Sequence, residues 1–259
     1  MQPLTLTTAE LTGWVGQFFW PFTRVMAMLA ITPVIGGKNI PVPVKILLGL
    51  LLTIAVLPVN QATPSVTPWS AAGVYVVAQQ ILIGLSMGFI LLLVFTAVNL
   101  AGHSIATAMG LGFSLTVDPD QGVHVPIISQ FLSILASLLF LSLNGHLALI
   151  ATLASSFERL PVASTGITGQ GLWDIILWAA IMFSGALSIA LPAIVAILIS
   201  NLVMGVMTRS SPQLNIFSIG FPMTMLVGFV ALLLTLPNML PVFQRLMDLS
   251  FTRMMALTP

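Results

Sequence analysis

Apolar residues dominate six stretches of the chain: Leu11 to Ile35, Ile46 to Val59, Gly73 to Gly102, Pro126 to Ala154, Trp173 to Met207 and Leu214 to Phe243. Each predicts a helix at membrane depth, since about 20 consecutive apolar residues cross the hydrocarbon core in helical form. The second stretch is short for a crossing, and the third and fifth exceed one crossing, so tilt, breaks or re-entry are expected. Breakers lie inside or at the ends of the runs, at Pro21, Pro33, Pro58, Pro192, Pro222 and Pro237 and at Gly84, Gly88 and Gly145. A proline removes a backbone donor and crowds the preceding turn, which kinks or ends a helix. Backbone groups freed in this way are tolerated in lipid only under cover of protein or a water-filled cavity. Segments of this kind are expected to pack inside a larger assembly. The fourth stretch carries Ser142, Asn144, Gly145 and His146 near its middle, where either a short helical hairpin turns or a continuous helix passes.

Composition turns this pattern into a class. The chain is 58% hydrophobic and 5% charged with a mean hydropathy of +1.12, whereas a soluble domain covers itself with roughly 25% charged residues. No Asp, Glu, Lys or Arg occurs between Lys45 and Asp118, and further charge-free runs extend from Gln121 to Phe157, Ile175 to Thr208 and Ser210 to Gln244. The expectation is an all-α membrane protein of kinked helices and helical hairpins, one membrane domain over residues 1–259. Net charge is +1 without a basic cluster, so the electrostatic footprint of a nucleic-acid binder is missing. With no cysteine, disulfides, thiolate metal sites and cysteine nucleophiles are excluded. Residues 1–12 hold Glu10 but no Lys or Arg, so the basic start of a signal peptide is lacking and the first apolar segment is expected to be retained. The scattered basic residues do not orient the chain by the positive-inside rule. At the C-terminus, Phe243 to Met255 mixes Arg245, Asp248 and Arg253 with apolar residues, which fits an amphipathic surface helix or a solvated tail.

Catalytic signals are weak. Gly84-Leu85-Ser86-Met87-Gly88 matches the GxSxG pattern, but a hydrolase elbow needs a strand, a sharp turn and a helix. This one lies in a long helical stretch, where glycines at i and i+4 form a small-residue packing face. His103, His124 and His146 have no metal-ligand spacing, and hydrogen-bonded interior positions are expected for His103 and His146. Arg24 sits within the first apolar stretch, where it must snorkel or find a carbonyl or carboxylate. No cofactor or metal is expected.

The most informative segment is Met109 to Gly122. Gly110 and Gly112 loosen the backbone, Thr116 and Val117 are β-branched, and Asp118-Pro119 enforces an extended or turn conformation. The plain reading is a helix connection with a solvated turn. The sharper one is an apolar loop, with Leu111, Phe113 and Leu115 able to exclude water as a constriction and Met109 adding adaptable surface.

Three groups of residues resemble the FliR family, the R subunit of the flagellar and type III secretion export gate: Met109 to Pro119, Leu143-Asn144-Gly145-His146, and Pro212-Gln213-Leu214-Asn215-Ile216-Phe217-Ser218-Ile219-Gly220-Phe221-Pro222. The likeness covers nearly the whole chain. It implies a non-enzymatic channel subunit of the inner membrane, within the flagellar basal body and protruding toward the periplasm. Such a subunit assembles with P and Q subunits, and with the B subunit, around unfolded export substrates. It further implies a P-like part over 1–160 and a Q-like part over 161–259. The family's pore plug falls on 109–122, here Met109, Gly110, Leu111, Gly112, Phe113, Ser114 and Leu115, with Phe113 the large stopper. Subunit contacts are expected at Gly84, Gly88, Pro212, Gln213, Asn215, Phe217 and Pro222. Two other functions stay open on the residues alone: a small-molecule secondary transporter built on the broken helices, and an intramembrane hydrolase using Ser86 and a histidine.

Overall fold

The computed structural model describes residues 8–37, 40–58, 70–111, 115–117, 124–163, 166–210 and 216–257. Their chain order is α1 (Thr8–Ile31), α2 (Val42–Val56), α3 (Ala71–Ala108), β1 (Leu115–Val117), β2 (His124–Pro126), α4 (Ile127–Ser142), α5 (Gly145–Arg159), α6 (Gly169–Trp178), α7 (Ala180–Ser210) and α8 (Ile216–Met255). The protein is all-α in class. Its only departure among the described residues is a two-stranded antiparallel ribbon, pairing Leu115 with Pro126, Thr116 with Val125 and Val117 with His124.

Each helix follows from its stretch of sequence, with ends set by local chemistry. Pro21 is carried inside α1, whereas Pro33 lies just past its last turn. There the Thr32 N–H and hydroxyl both donate to the Met28 carbonyl and Gly36 N–H donates to Thr32 O. Lys45 reaches back to cap the Gly36 carbonyl at 2.7 Å. The fourth stretch is broken, with Leu143 ending α4 and Asn144, at φ 57°, preceding α5. Asparagine tolerates this left-handed conformation better than most residues, so of the two sequence readings the break holds. In α8, Pro222, Pro237 and Pro241 are all absorbed without ending the helix.

Helices α3, α6–α7 and α8 are long and apolar enough to cross a membrane, and α4 with α5 makes a fourth candidate if the broken pair is one span. Length and composition, the same grounds used on the sequence, carry this reading. The C-terminal segment differs from both expectations for it. Phe243 to Met255 continues α8, and Phe243, Leu246, Met247, Ser250 and Met254 are buried, because its apolar side is used in packing.

The chain forms two compact units, the first comprising 1–92, 144–178 and 249–259, and the second 93–143 and 179–248. The core of the first holds Trp20, Arg24, Val25, Met28, Ile83, Met87 and Phe157. Here α3 lies very close to α1. A Cβ added at Gly84 would overlap the Arg24 carbonyl and the Ala27 side chain, and one at Gly88 would come within 2.8 Å of the Met28 carbonyl. The packing face read from the GxSxG pattern is therefore used inside the chain, by α1. The core of the second unit is built on aromatic edges, with Phe95 against Phe140 and Phe243 at centroid distances of 5.6 and 5.8 Å. Small residues of α7, Gly185, Ala186, Ala190 and Ala193, are buried there, with Leu246 and Ala97 closing on Gly185.

Candidate functional site

The start of the apolar loop is defined by the end of α3. Gly110 N–H donates to Thr107 O and Leu111 N–H to Ala106 O, and Gly110 takes φ 79°. This pair of bonds around a left-handed glycine is a Schellman cap. It stops the helix where the sequence first places a glycine after the apolar run. Only glycine takes this conformation without a Cβ penalty.

The cap is seated on α8. A Cβ on Gly110 would lie 3.3 Å from the Phe221 ring, and a Cβ on Gly228 would lie 2.5 Å from Met109 Cγ and 2.9 Å from its sulfur. Phe221 and Gly228 are seven residues apart, hence on one face of the helix. Met109 is fully buried. Its side chain is packed into the second unit and does not stand in open space as sealing surface. At the other end of the segment, Pro126 closes β2 and precedes α4. There a Cβ on Gly102 would come within 2.5 Å of Ser129 Cα, so α3 and α4 are in near-backbone contact. Asn99 adds a 3.3 Å hydrogen bond to Ser133. Both ends of the segment are thus fixed to the second unit.

Among the other loop residues, Leu115 opens β1, while Gly112, Phe113 and Ser114 lie outside the described residues. Of the expected subunit contacts, Pro212, Gln213 and Asn215 also lie outside them, Phe217 falls in the first turns of α8, and Pro222 is an exposed position within that helix. Close by, Thr224 donates to Asn201 Oδ1 at 2.9 Å, tying α8 to α7.

A second polar centre lies in the first unit. Arg24 is fully buried and donates from Nε to Gln80 Oε1 (2.8 Å), from Nη1 to the Ser156 carbonyl and hydroxyl (3.0 and 3.1 Å), and from Nη2 to Leu160 O (2.7 Å). Its guanidinium lies 4.1 Å from the centre of the Phe157 ring. Carbonyls, an amide and an aromatic face hold the cation, so of the sequence alternatives the carbonyl is the one realised. The planar fork lets one side chain pin the end of α5 to α1 and α3. Nearby, Asp174 pairs with Arg253 at 3.2 Å and Arg159 donates to the Met255 carbonyl, which holds the end of α8 within the same unit.

His103 belongs to the second unit and His146 to the first. His103 is exposed on α3, contrary to the interior position expected, because it lies on the face opposite the buried Ala101 and Ile105. His146 is half-buried, with Nδ1 lacking a hydrogen-bond partner. Ser86 is buried in the middle of uninterrupted α3, so the strand and sharp turn of a nucleophile elbow are missing around it. Among the described residues no cluster of metal-ligating side chains forms.

Comparison with known proteins decides the family. Residues 15–250 match the family model described as bacterial export proteins, family 1. The chain belongs to this family. It is 41% identical to the flagellar biosynthetic protein FliR of Pectobacterium carotovorum over 94% of this chain and 93% of that protein. It is 35% identical to the FliR protein of Escherichia coli K12 over the same shares, and 26% identical to that of Bacillus subtilis over 92% of each. The FliR resemblance read from the three residue groups therefore holds along the chain. Two features of the site were not singled out from sequence, namely Gly228 as the seat of Met109 and the polar partners of Arg24. Gly228 had no signal beyond being a glycine in an apolar helix. The partners of Arg24 are neutral residues far along the chain, which no local pattern connects.

Proposed function

We propose that the chain is a structural channel subunit of the flagellar protein export gate. It assembles with P-like and Q-like subunits, and with the B subunit, in the bacterial cytoplasmic membrane within the flagellar basal body, part of it reaching toward the periplasm. The observation that carries this reading is the family match over residues 15–250 together with FliR relatives along almost the full length. The segment 109–122 closes the pore of the resting gate, with Phe113, Leu111 and Leu115 excluding water until an unfolded substrate passes. Three features support the plug: the capped end of α3, the short ribbon that follows, and the apolar composition between them. The P-like and Q-like parts, 1–160 and 161–259, compare stretches of this chain with other subunits. The two compact units instead group residues by contact, so the two divisions need not coincide. The positions expected to meet partners are Pro212, Gln213, Asn215, Phe217 and Pro222. Gly84 and Gly88 already have α1 as their neighbour.

The test is the native mass of the tagged, detergent-extracted protein after co-expression with the neighbouring membrane subunits. A large complex with several P-like and Q-like chains is expected. A stable monomer or small homo-oligomer, with those partners present but unbound, overturns the proposal. In the assembled complex, deletion of Gly110 to Leu115 is expected to let small dyes enter the cell.

A further inference from the structure

The turn that follows α1 holds a backbone conformation its residues disfavour. Val34 takes φ 70°, and across it the Ile35 N–H donates to the Pro33 carbonyl at 2.9 Å. A three-residue turn closed around a residue of positive φ is the rare and strained form of γ-turn. A β-branched residue fits it badly, because its Cβ substituents crowd the backbone there. The turn is held from both sides. Thr32 is fully buried, with its N–H and hydroxyl both given to the Met28 carbonyl. Gly36 N–H returns to Thr32 O, and a Cβ on Gly36 would come within 2.6 Å of the Leu29 carbonyl. From the α2 side, Lys45 Nζ donates to the Gly36 carbonyl at 2.7 Å. Against this, α2 is thinly seated. It buries Gly49, Thr53 and Val56, while Val42, Leu47, Leu51 and Ile54 are more than half exposed. Gly49 meets the Met26 thioether, an unbranched side chain that can fill a groove and also leave it. The Thr53 hydroxyl is spent on Gly49 O within α2. Among the described residues, the Lys45 bond is thus the one side-chain hydrogen bond that α2 sends outside itself.

We infer that residues 32–37 form a sprung hinge with Lys45 as its latch, so that α2 has the docked position seen here and a released one in which Val34 returns to negative φ. Backbone strain persists only where the surrounding contacts over-determine it. Here those contacts are the latch and the Met26 seat, and both are given up when α2 leaves α1. The strain at Val34 therefore favours release, and the Lys45 bond opposes it. Spring, latch and seat all lie within the first unit, so the device works inside this chain and does not depend on the pore or on other subunits.

The experiment measures the distance between spin labels on the two arms of the hairpin in the full chain reconstituted in lipid. The labels are placed through Gln17→Cys on α1 and Ile54→Cys on α2, both exposed positions in a chain without native cysteine. The parent is expected to show one short distance. Lys45→Met, which removes the donor and keeps the length of the side chain, should add a second, longer population. Adding Val34→Gly to Lys45→Met removes the strain from the docked turn, since glycine takes positive φ freely. It should lower the ratio of released to docked chains about fivefold or more. Val34→Ala in the same background removes the same methyl groups but keeps the Cβ, and should leave the released population in place. If Lys45→Met fails to accumulate, Lys45→Gln, too short to reach the carbonyl, replaces it. A single unchanged distance without the latch overturns the released position. A released population that Val34→Gly leaves as large as Val34→Ala does, or enlarges, overturns the spring.

Discussion

At Arg24 a cation is surrounded by neutral groups, and the balance of its bonds determines what its loss would do. The Ser156 carbonyl also accepts from Leu160 N–H, so it keeps a partner if the guanidinium goes. Leu160 O and Gln80 Oε1 lose the donors that Arg24 supplies. Buried groups left unpaired cost about 1–3 kcal/mol each, and the contact with Phe157 contributes up to about 2 kcal/mol when desolvated. Arg24→Ala is therefore expected to lower the stability of the detergent-extracted chain by several kcal/mol, read as a drop in its thermal unfolding midpoint. Arg24→Lys keeps the charge but loses the fork, since an ammonium is a point charge that cannot reach acceptors on α3 and α5 together. It should fail to restore the parent's stability. A lysine variant as stable as the parent would show that charge alone, and not the planar geometry, holds the site.

At the scale of helices, glycines with opposite surroundings make opposite predictions. Gly84 faces α1 so closely that an added Cβ would overlap the backbone at Arg24 and the side chain of Ala27. Overpacking of this kind typically costs about 1–3 kcal/mol, and here backbone would have to move. Gly205 lies in α7 with nothing within 4 Å of an added Cβ, and mid-helix glycine is worse than alanine by about 0.5–1 kcal/mol. Gly84→Ala should thus destabilise the isolated chain while Gly205→Ala leaves it as stable or more so, both followed by heat-induced loss of helix signal in detergent. Equal loss from both would mean that helix approach at Gly84 is not what the glycine provides. The same contrast shows what was legible beforehand. Runs of apolar residues fix the existence of every helix here, because hydropathy acts locally and the runs are long. The loop at Gly110 was also readable from the backbone freedom of glycine, and the face at Gly84 from its lack of a side chain, whereas at Asn144 a hairpin and a continuous helix were both open until the left-handed backbone there decided between them. The three prolines inside α8 were not, because a kinked helix and an ended one begin with the same residue, and packing decides between them. Nor were Met109 at Gly228 or Arg24 at Leu160, which depend on which helices meet.

Taken across the whole molecule, burial is uneven in a way that bears on assembly. In the most apolar window of α3, 61% of residues are buried within the chain, against 22% for α6–α7 and 28% for α8. Leu198, Leu202, Val206, Leu233 and Leu234 all stand outward from α7 and α8. Apolar surface of this extent needs lipid or other chains around it, and the proposed gate divides it between the two. Helix association within lipid is driven by close packing and interhelical hydrogen bonds, because the acyl chains are as apolar as leucine. The α7–α8 surface with its Asn201–Thr224 hydrogen bond offers both small residues and polar groups. A spin label at Leu202, placed through Leu202→Cys, tests which neighbour it meets, and a chain without native cysteine keeps the labelling specific. In the isolated chain reconstituted in lipid, the label should be relaxed strongly by dissolved oxygen, which concentrates among acyl chains. Co-assembly with the P-like and Q-like subunits should reduce that access severalfold, whereas a label at Leu138, on the outward face of α4, serves as the comparison site. Unchanged access at Leu202 in a complex whose native mass confirms assembly would assign this face of α7 to lipid. The partner contacts would then have to come from the segment 212–222 and the remaining faces of α8.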